Sequence, residues 1–203
     1  MFLLVIKRIP YRSGFPRTRH VLLSVESLSL RLGIVFSGAI VEEAIVLRGR
    51  IARNIKKKAA KLGVSVDEYI VELLTQTLDP KTKAIEYIEA AKELLQESLR
   101  ELEKGNMRQA SEKLWSAGAL AIKAYAYWKD ERRLSSHGEL WEYKRGLEEE
   151  FGEWISDAWA QASTMHICFY EGWCARKDVE NAYKRIEKLV KEIASKIKEK
   201  NLS

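Results

Sequence analysis

The spacing of apolar residues along the chain predicts helices almost throughout, after one short β-prone run. That run, EEAIVLRGRI, starts at Glu42 and alternates only poorly. A first helix is then predicted, because Gly63 is a typical helix end and apolar residues before it recur at helical spacing: Ile51, Ile55, Ala59 and Leu62. A second helix begins at SVDE, a capping box formed by Ser65 and Glu68, and runs to Leu78.

From Asp79 onward the pattern changes to longer amphipathic helices with short connections. Asp79 is a good N-cap, and Pro80 suits the first helical position. The stripes and breaks predict five helices, at residues 80–104, 107–131, 138–151 and 153–171 and from 178 onward. We therefore predict an all-α, up-and-down helical bundle over residues 79–203, with a small N-terminal β-α-α appendage over residues 41–78.

The first forty residues differ from the rest in composition. Residues 1–40 hold six basic residues and one acidic residue, whereas residues 81–203 hold 22 of each. The net charge of +6 therefore does not come from the predicted bundle. Two interpretations stay open for residues 1–40: a disordered tail, or an extension translated from a misassigned start. No apolar run reaches the length of a membrane span, so no membrane partner is predicted.

Several kinds of chemistry lack their motifs in this sequence. It has no phosphate-binding glycine loop, nucleophile elbow or zinc-ligand spacing, so we predict no cofactor and no metal. Cys168 and Cys174 would lie about 240° apart on a continuous helix, and they suggest no disulfide framework. A reducing cytoplasm is the expected location. The abundance of Lys and Glu is typical of proteins from hot habitats.

Three motifs in order, GNMRQASEKLWSAGALAIKAYA, SSHGELWEY and MHICFYEGW, carry a resemblance over roughly residues 45–200. They resemble the archaeal PaREP1 family, whose members are mostly uncharacterised. That family is similar in turn to the HEPN superfamily of helical bundles. The resemblance implies an RNA-, nucleotide- or protein-binding module, or a metal-independent endoribonuclease of toxin–antitoxin type, in either case as a homodimer.

Arg132 and His137 are the candidate catalytic residues, because HEPN ribonucleases carry an Arg and a His at this spacing. A histidine can move a proton near neutral pH, and an arginine can stabilise charge on a phosphate. A structural explanation competes with this one. Ser136 and Glu139 form a capping box, so the same stretch is also a well-formed helix start.

His166, Phe169 and Tyr170 share one helix face and are candidate binding residues, since a histidine beside aromatic rings can stack a base. Glu171 and Lys123 are further candidate binding residues. The alternative is that His166 is a buried core residue. Whether His137 and His166 share a pocket is open at this stage.

Residues 42–78 resemble a ribbon-helix-helix module, in which paired strands read the major groove of DNA. In this chain only Arg48 would be placed to read a base, which leaves a DNA-binding autoregulator as a further hypothesis. The alternative is a helical hairpin that packs on the bundle or pairs subunits.

Overall fold

The computed structural model describes residues 4–5, 44–45 and 47–199, and these fall into two units, Met1–Gly49 and Arg50–Ser203. In the first unit, strands β1 (Leu4–Val5) and β2 (Ala44–Ile45) pair antiparallel, with Leu4 opposite Ile45 and Val5 opposite Ala44. Apart from Leu4–Val5, the expectation for residues 1–40 lies outside the described residues.

Helices form nearly all of the described chain after the strands, which confirms the all-α prediction. In order they are α1 (Gly49–Leu62), α2 (Val66–Leu74), α3 (Pro80–Glu103), α4 (Met107–Asp130), α5 (His137–Phe151), α6 (Trp154–Glu171) and α7 (Arg176–Glu199). All five predicted bundle helices are present, and each differs from its predicted bounds by only a few residues.

Helix α4 forms the centre of the bundle, because α3, α5, α6 and α7 all pack against it. Its middle is buried on every side, from Leu114 to Tyr127. Small residues allow the close approach: a Cβ at Gly118 would lie 3.1 Å from the Cβ of Ala162 on α6. The core around α4 is therefore built on short side chains that admit neighbouring helices at close range.

The helices begin close to the predicted residues, but two of the predicted capping side chains bind other groups. Asp79 caps α3 by accepting from the backbone N–H of Thr82 at 3.0 Å. Ser65 caps α2, but the Glu68 side chain pairs with Lys123 and does not complete the predicted capping box. Asn106 precedes α4 without a side-chain cap, since its amide donates to Glu101 instead.

The predicted β-α-α appendage is not supported as a unit of its own. Strand β2 is two residues long and pairs with β1 in the first unit. Helix α2 instead packs on α3 and α4: Tyr87 of α3 donates to Glu72, and Lys123 of α4 pairs with Glu68. The hairpin of α1 and α2 therefore belongs to the same unit as the bundle.

Candidate functional site

His137 is the first residue of α5, and a complete capping box fixes that start. The Ser136 hydroxyl accepts from the Glu139 backbone N–H at 3.2 Å. The Glu139 carboxylate accepts in return from the Ser136 N–H at 3.1 Å. Hydrogen bonds from the hydroxyl and backbone N–H of Ser135, together with that from the Ser136 N–H, hold the pKa of Glu139 below its usual value. The predicted capping box is confirmed, and it sets the position from which the His137 ring enters the bundle.

The His137 ring joins a group of aromatic side chains from three helices, which we call the Trp115 cluster. Its members are Trp115 of α4, His137 and Trp141 of α5, and Trp159, His166 and Tyr170 of α6. Trp115 is at its centre, with ring centroids 5.0 Å from His137, 4.5 Å from His166 and 5.2 Å from Trp159. The two imidazole rings lie edge to face, 4.9 Å apart. His137 and His166, far apart in sequence, therefore share one site.

The α6 contribution follows one stripe along the helix. Trp159, Ser163, His166 and Tyr170 recur at spacings of three and four residues, which places them on one face. Exposure rises along this stripe, from none at Trp159 to 59% at Tyr170. Trp141 is 39% exposed beside it. The cluster therefore extends from the core to the surface, with the two histidines half-buried between.

Five buried polar atoms in and beside this cluster have no hydrogen-bond partner among the described residues. They are Nε1 of Trp115, Nε1 of Trp159, Nε2 of His137, Nδ1 of His166 and Oγ of Ser163. Buried polar atoms in folded proteins are normally hydrogen-bonded, because leaving one unpaired costs about 1–3 kcal/mol. So many unpaired donors and acceptors in one place are the mark of a site that hydrogen-bonds something other than the chain itself.

The electrostatics of the cluster favour neutral imidazole at His166. Burial, together with the nearby His137, lowers the pKa of His166 to about 4. His166 is therefore neutral near pH 7, with one ring nitrogen able to donate and the other able to accept. A neutral ring of this kind suits hydrogen bonding to an uncharged ligand edge.

Two interactions fix the outer end of α6, where Phe169 and Tyr170 lie. Arg108 donates to the carbonyl oxygens of Phe169 and Tyr170 at 2.8 and 3.1 Å. Cys168 forms a disulfide with Cys174. The prediction that the two cysteines face apart is wrong, because α6 ends at Glu171 and Gly172, with φ of 75°, turns the chain back. The exposed edge of the cluster is thus held in place by Arg108 of α4 and by the disulfide to the loop that follows α6.

Arg132 lies apart from His137 in this arrangement. Its guanidinium carbon lies 5.9 Å from the centre of the Tyr143 ring, and its side chain is exposed. No hydrogen bond or ring contact joins Arg132 to His137 within the described part of the chain. The nearest ring partners of His137 are Trp115 and His166 instead.

The other candidate residues are dispersed. Lys123 is 5% exposed, and its Nζ lies 2.5 Å from Oε1 of Glu68, so its charge is already engaged. Phe169 contacts the Tyr170 ring at 5.0 Å between centroids and so borders the cluster. Glu171 is exposed at the last position of α6, and Arg48 is exposed just before α1.

Sequence reasoning missed the centre of the site. Trp115 is not among the predicted site residues, because a tryptophan on an apolar helical stripe has the spacing of a core residue. The stripe from Trp159 through Ser163 to His166 was visible as helical spacing and could have been found. Arg108 gave no signal, since its partners on α6 are distant in sequence.

Neither a membrane-spanning helix nor a metal cluster occurs among the described residues. None of their helices is long and apolar enough to cross a bilayer. Within the same residues, no group of three or more His, Cys, Asp or Glu side chains is arranged to hold a metal ion. The groups that the Trp115 cluster offers to a ligand are its aromatic rings, its imidazoles and the Ser163 hydroxyl.

Comparison with known proteins gives a family for this chain. No curated protein matches it. It is similar to a Sulfolobus solfataricus protein of known crystal structure, with 26% identity, a TM-score of 0.47, and coverage of 52% of this chain and 93% of that one. The sequence model of the archaeal PaREP1/PaREP8 family matches residues 86–190, just over half of the chain and every member of the Trp115 cluster. The chain therefore belongs to the archaeal PaREP1/PaREP8 family.

Proposed function

We propose that the chain is a non-catalytic binding module that holds an unstacked base of RNA, or of a nucleotide, in the Trp115 cluster. The five unpaired polar atoms in and beside the cluster are the observation that carries this proposal. They lie behind two exposed rings, Tyr170 and Trp141, at the outer edge. A base needs both features: hydrogen bonds at its edge and an aromatic face on which to stack.

The donors and acceptors of the cluster match a base edge in kind. The neutral His166 imidazole offers one donor and one acceptor, and the His137 ring adds its unpaired Nε2. Each indole offers a donor, and the Ser163 hydroxyl offers both. Base edges carry the same mixture of N–H groups, carbonyl oxygens and ring nitrogens. Binding would satisfy polar atoms that the folded chain leaves unpaired, and this is the source of the expected affinity.

Binding is favoured over cleavage by the position of Arg132. Metal-free cleavage by this pair needs a cation close to the phosphate on which His137 would act. The Arg132 guanidinium lies over Tyr143 and not beside His137. The endoribonuclease with Arg132 and His137 as catalytic residues is therefore the second candidate.

The direct test is titration of the full chain with the four ribonucleoside monophosphates, followed by tryptophan fluorescence and calorimetry. We expect saturable binding to at least one of them. Tyr170→Ala should weaken it by roughly 5- to 100-fold, the range expected for loss of one base–aromatic stack. The double variant His137→Phe, His166→Phe keeps ring volume but removes hydrogen bonds, and should weaken binding by at least about tenfold.

Ile85→Ala is the matched control, because Ile85 is 42% exposed on α3, which contributes no member of the Trp115 cluster. Its binding should equal that of the parent. Equal losses in the Ile85 and Tyr170 variants, or no saturable binding by the parent, would overturn the proposal. RNA cleavage in EDTA by the parent, abolished in both Arg132→Ala and His137→Ala with folding intact, would establish the endoribonuclease instead.

Other expectations from the sequence stay predictions. They are the HEPN-like assignment of the bundle, a homodimer, a partner protein of toxin–antitoxin type, and DNA binding through residues 42–78 with Arg48. The cluster supports base binding independently of each of them, because all of its members come from one bundle.

A further inference from the structure

Helix α1 carries a concentration of positive charge that nothing in the Trp115 cluster explains. Its sequence, GRIARNIKKKAAKL, holds six basic residues and no acidic one. Four of them recur at spacings of three and four residues and form a single exposed line, the α1 basic stripe: Arg50, Arg53, Lys57 and Lys61. At a rise of about 1.5 Å per residue, this line extends about 17 Å along the helix.

The charges of the α1 basic stripe are not neutralised by the rest of the described chain. None of its four residues forms an ion pair with a carboxylate of those residues. Like charges four residues apart, such as Arg53 with Lys57 and Lys57 with Lys61, destabilise a helix by a few tenths of a kcal/mol each. No carboxylate among residues 47–199 offsets this cost, and the four exposed charges are therefore placed to meet an external anion.

The opposite face of α1 argues against a lipid surface as that anion. A helix that lies in a bilayer interface needs a continuous apolar face, commonly with Trp, Phe or Leu. In α1 the middle of that face is already used: Ala59 is 2% exposed and Ile55 is half-buried. Only Ile51 and Leu62, at its two ends, are exposed. The α1 basic stripe is exposed along its whole length, whereas the middle of the apolar face is covered.

We propose that the α1 basic stripe binds consecutive phosphate groups of single-stranded RNA. Arginine and lysine side chains are the usual partners of nucleic-acid phosphates, and such contacts add affinity without sequence preference. The inference rests on the proposed function only for the choice of single-stranded RNA, the form that presents unstacked bases. Residues 86–190, which define the family, do not include α1, so this surface is a property of this chain beyond the family match.

The experiment compares two quadruple variants of the full chain by fluorescence anisotropy with a labelled, unstructured oligouridylate. One variant changes Arg50, Arg53, Lys57 and Lys61 to Gln. The matched control changes four basic residues that each pair with a carboxylate, namely Lys92, Lys104, Arg185 and Lys191, to Gln. Both lose the same net charge, and circular dichroism checks that both remain folded.

The measured quantity is the slope of the logarithm of the association constant against the logarithm of salt concentration. Each phosphate contact on a single strand contributes about 0.7 to that slope, so loss of the stripe should reduce its magnitude by about 3. Binding at low salt should weaken by at least about tenfold, and the control should retain the parent's slope. Equal slope changes in both variants, or none in the α1 variant, would overturn the inference. So would loss of binding to phosphatidylserine vesicles with RNA binding unchanged.

Failure here and failure of the proposed function give different results. The double variant His137→Phe, His166→Phe should lower RNA affinity at every salt concentration while largely preserving the slope, because the four charges of the α1 basic stripe remain in place. If mononucleotides do not bind but the slope depends on α1, only the proposed function fails. If mononucleotides bind but the slope does not depend on α1, only the present inference fails.

Discussion

Two regions of the bundle bury polar groups, and they do so in opposite ways. Where α2 meets α3 and α4, buried lysines lie against carboxylates: Lys113 lies 2.7 Å from Asp67 and 2.9 Å from Glu97. Lys123 pairs with Glu68. In the Trp115 cluster, by contrast, indole, imidazole and hydroxyl groups are buried without partners among the described residues.

This difference distinguishes the contacts that stabilise the fold from the groups that we propose bind a ligand. Charges buried between α2 and the bundle cost several kcal/mol each in lost hydration, and the chain offsets this with ion pairs of its own. Polar groups of the Trp115 cluster remain unpaired among the described residues. Neutral groups of this kind are easier than charged ones to pair by a hydrogen bond or to replace by apolar groups. Ion pairs between opposite charges therefore mark the contacts of α2 with the bundle, and unpaired neutral groups mark the region that we propose for a ligand.

The largest expected effect comes from breaking the paired region. Lys123→Met should lower the free energy of unfolding by about 3–5 kcal/mol, because it leaves the Glu68 carboxylate buried without its cation. Chemical denaturation of the parent and the variant at pH 7 measures the change. His137→Phe should change stability by less than about 1 kcal/mol, since its buried ring nitrogen loses no internal hydrogen bond.

The double variant Glu68→Gln, Lys123→Met is the control for this contrast. It removes both charges and should recover most of the stability lost in Lys123→Met. If Lys123→Met costs no more than His137→Phe, the two regions do not differ in the way that their contacts indicate.

Helix α3 illustrates what could be predicted from the sequence. Asp79 and Pro80 mark its start, Gly105 follows its end, and the apolar stripe between them faces the core. These signals are local, because caps and periodicity involve residues a few positions apart. The same holds for the capping box of Ser136 and Glu139, which set the start of α5 within one residue.

The candidate site could be predicted only in part. The shared face of His166 and Tyr170 follows from helical spacing, and the structure confirms it. The meeting of His137 with His166 depends on how α5 and α6 pack against α4, which no local pattern encodes. The burial of Lys123 could not be predicted either, because its ion-pair partner Glu68 lies 55 positions earlier in the chain.

A smaller effect is expected from Glu112, whose carboxylate lies in the paired region without full compensation. Burial and the nearby Asp67 raise its pKa to about 7. The stability that it contributes is fully present below about pH 4.5 and is lost as the pH rises through 7. Glu112→Gln, which imitates the neutral form, should therefore be more stable than the parent at pH 8 by about 2–3 kcal/mol. Equal stability of the two proteins at pH 8 would contradict this.

The smallest expected effect is the pH dependence of the cluster itself, and it has the opposite sign. The pKa of His166 is lowered to about 4 from its usual 6.5, so between these values the unfolded chain binds a proton more readily than the folded one. The contribution of His166 to stability is thus intact above pH 6.5 and falls as the pH decreases towards 4. Allowing for solvent screening of this half-buried ring, the loss should be about 1–2 kcal/mol.

His166→Phe isolates this contribution, because the carboxylates that titrate in the same range are common to both proteins. Denaturation curves between pH 4 and 7 should show the parent losing about 1–2 kcal/mol more than the variant. Saturation with a bound base should widen that difference, since a ligand that hydrogen-bonds neutral imidazole opposes its protonation. Parallel profiles for the two proteins would mean that the His166 ring is as well hydrated in the folded chain as in the unfolded one. In that case its unpaired nitrogen would already be satisfied by water, and the cluster would lose the property that distinguishes it from the paired region.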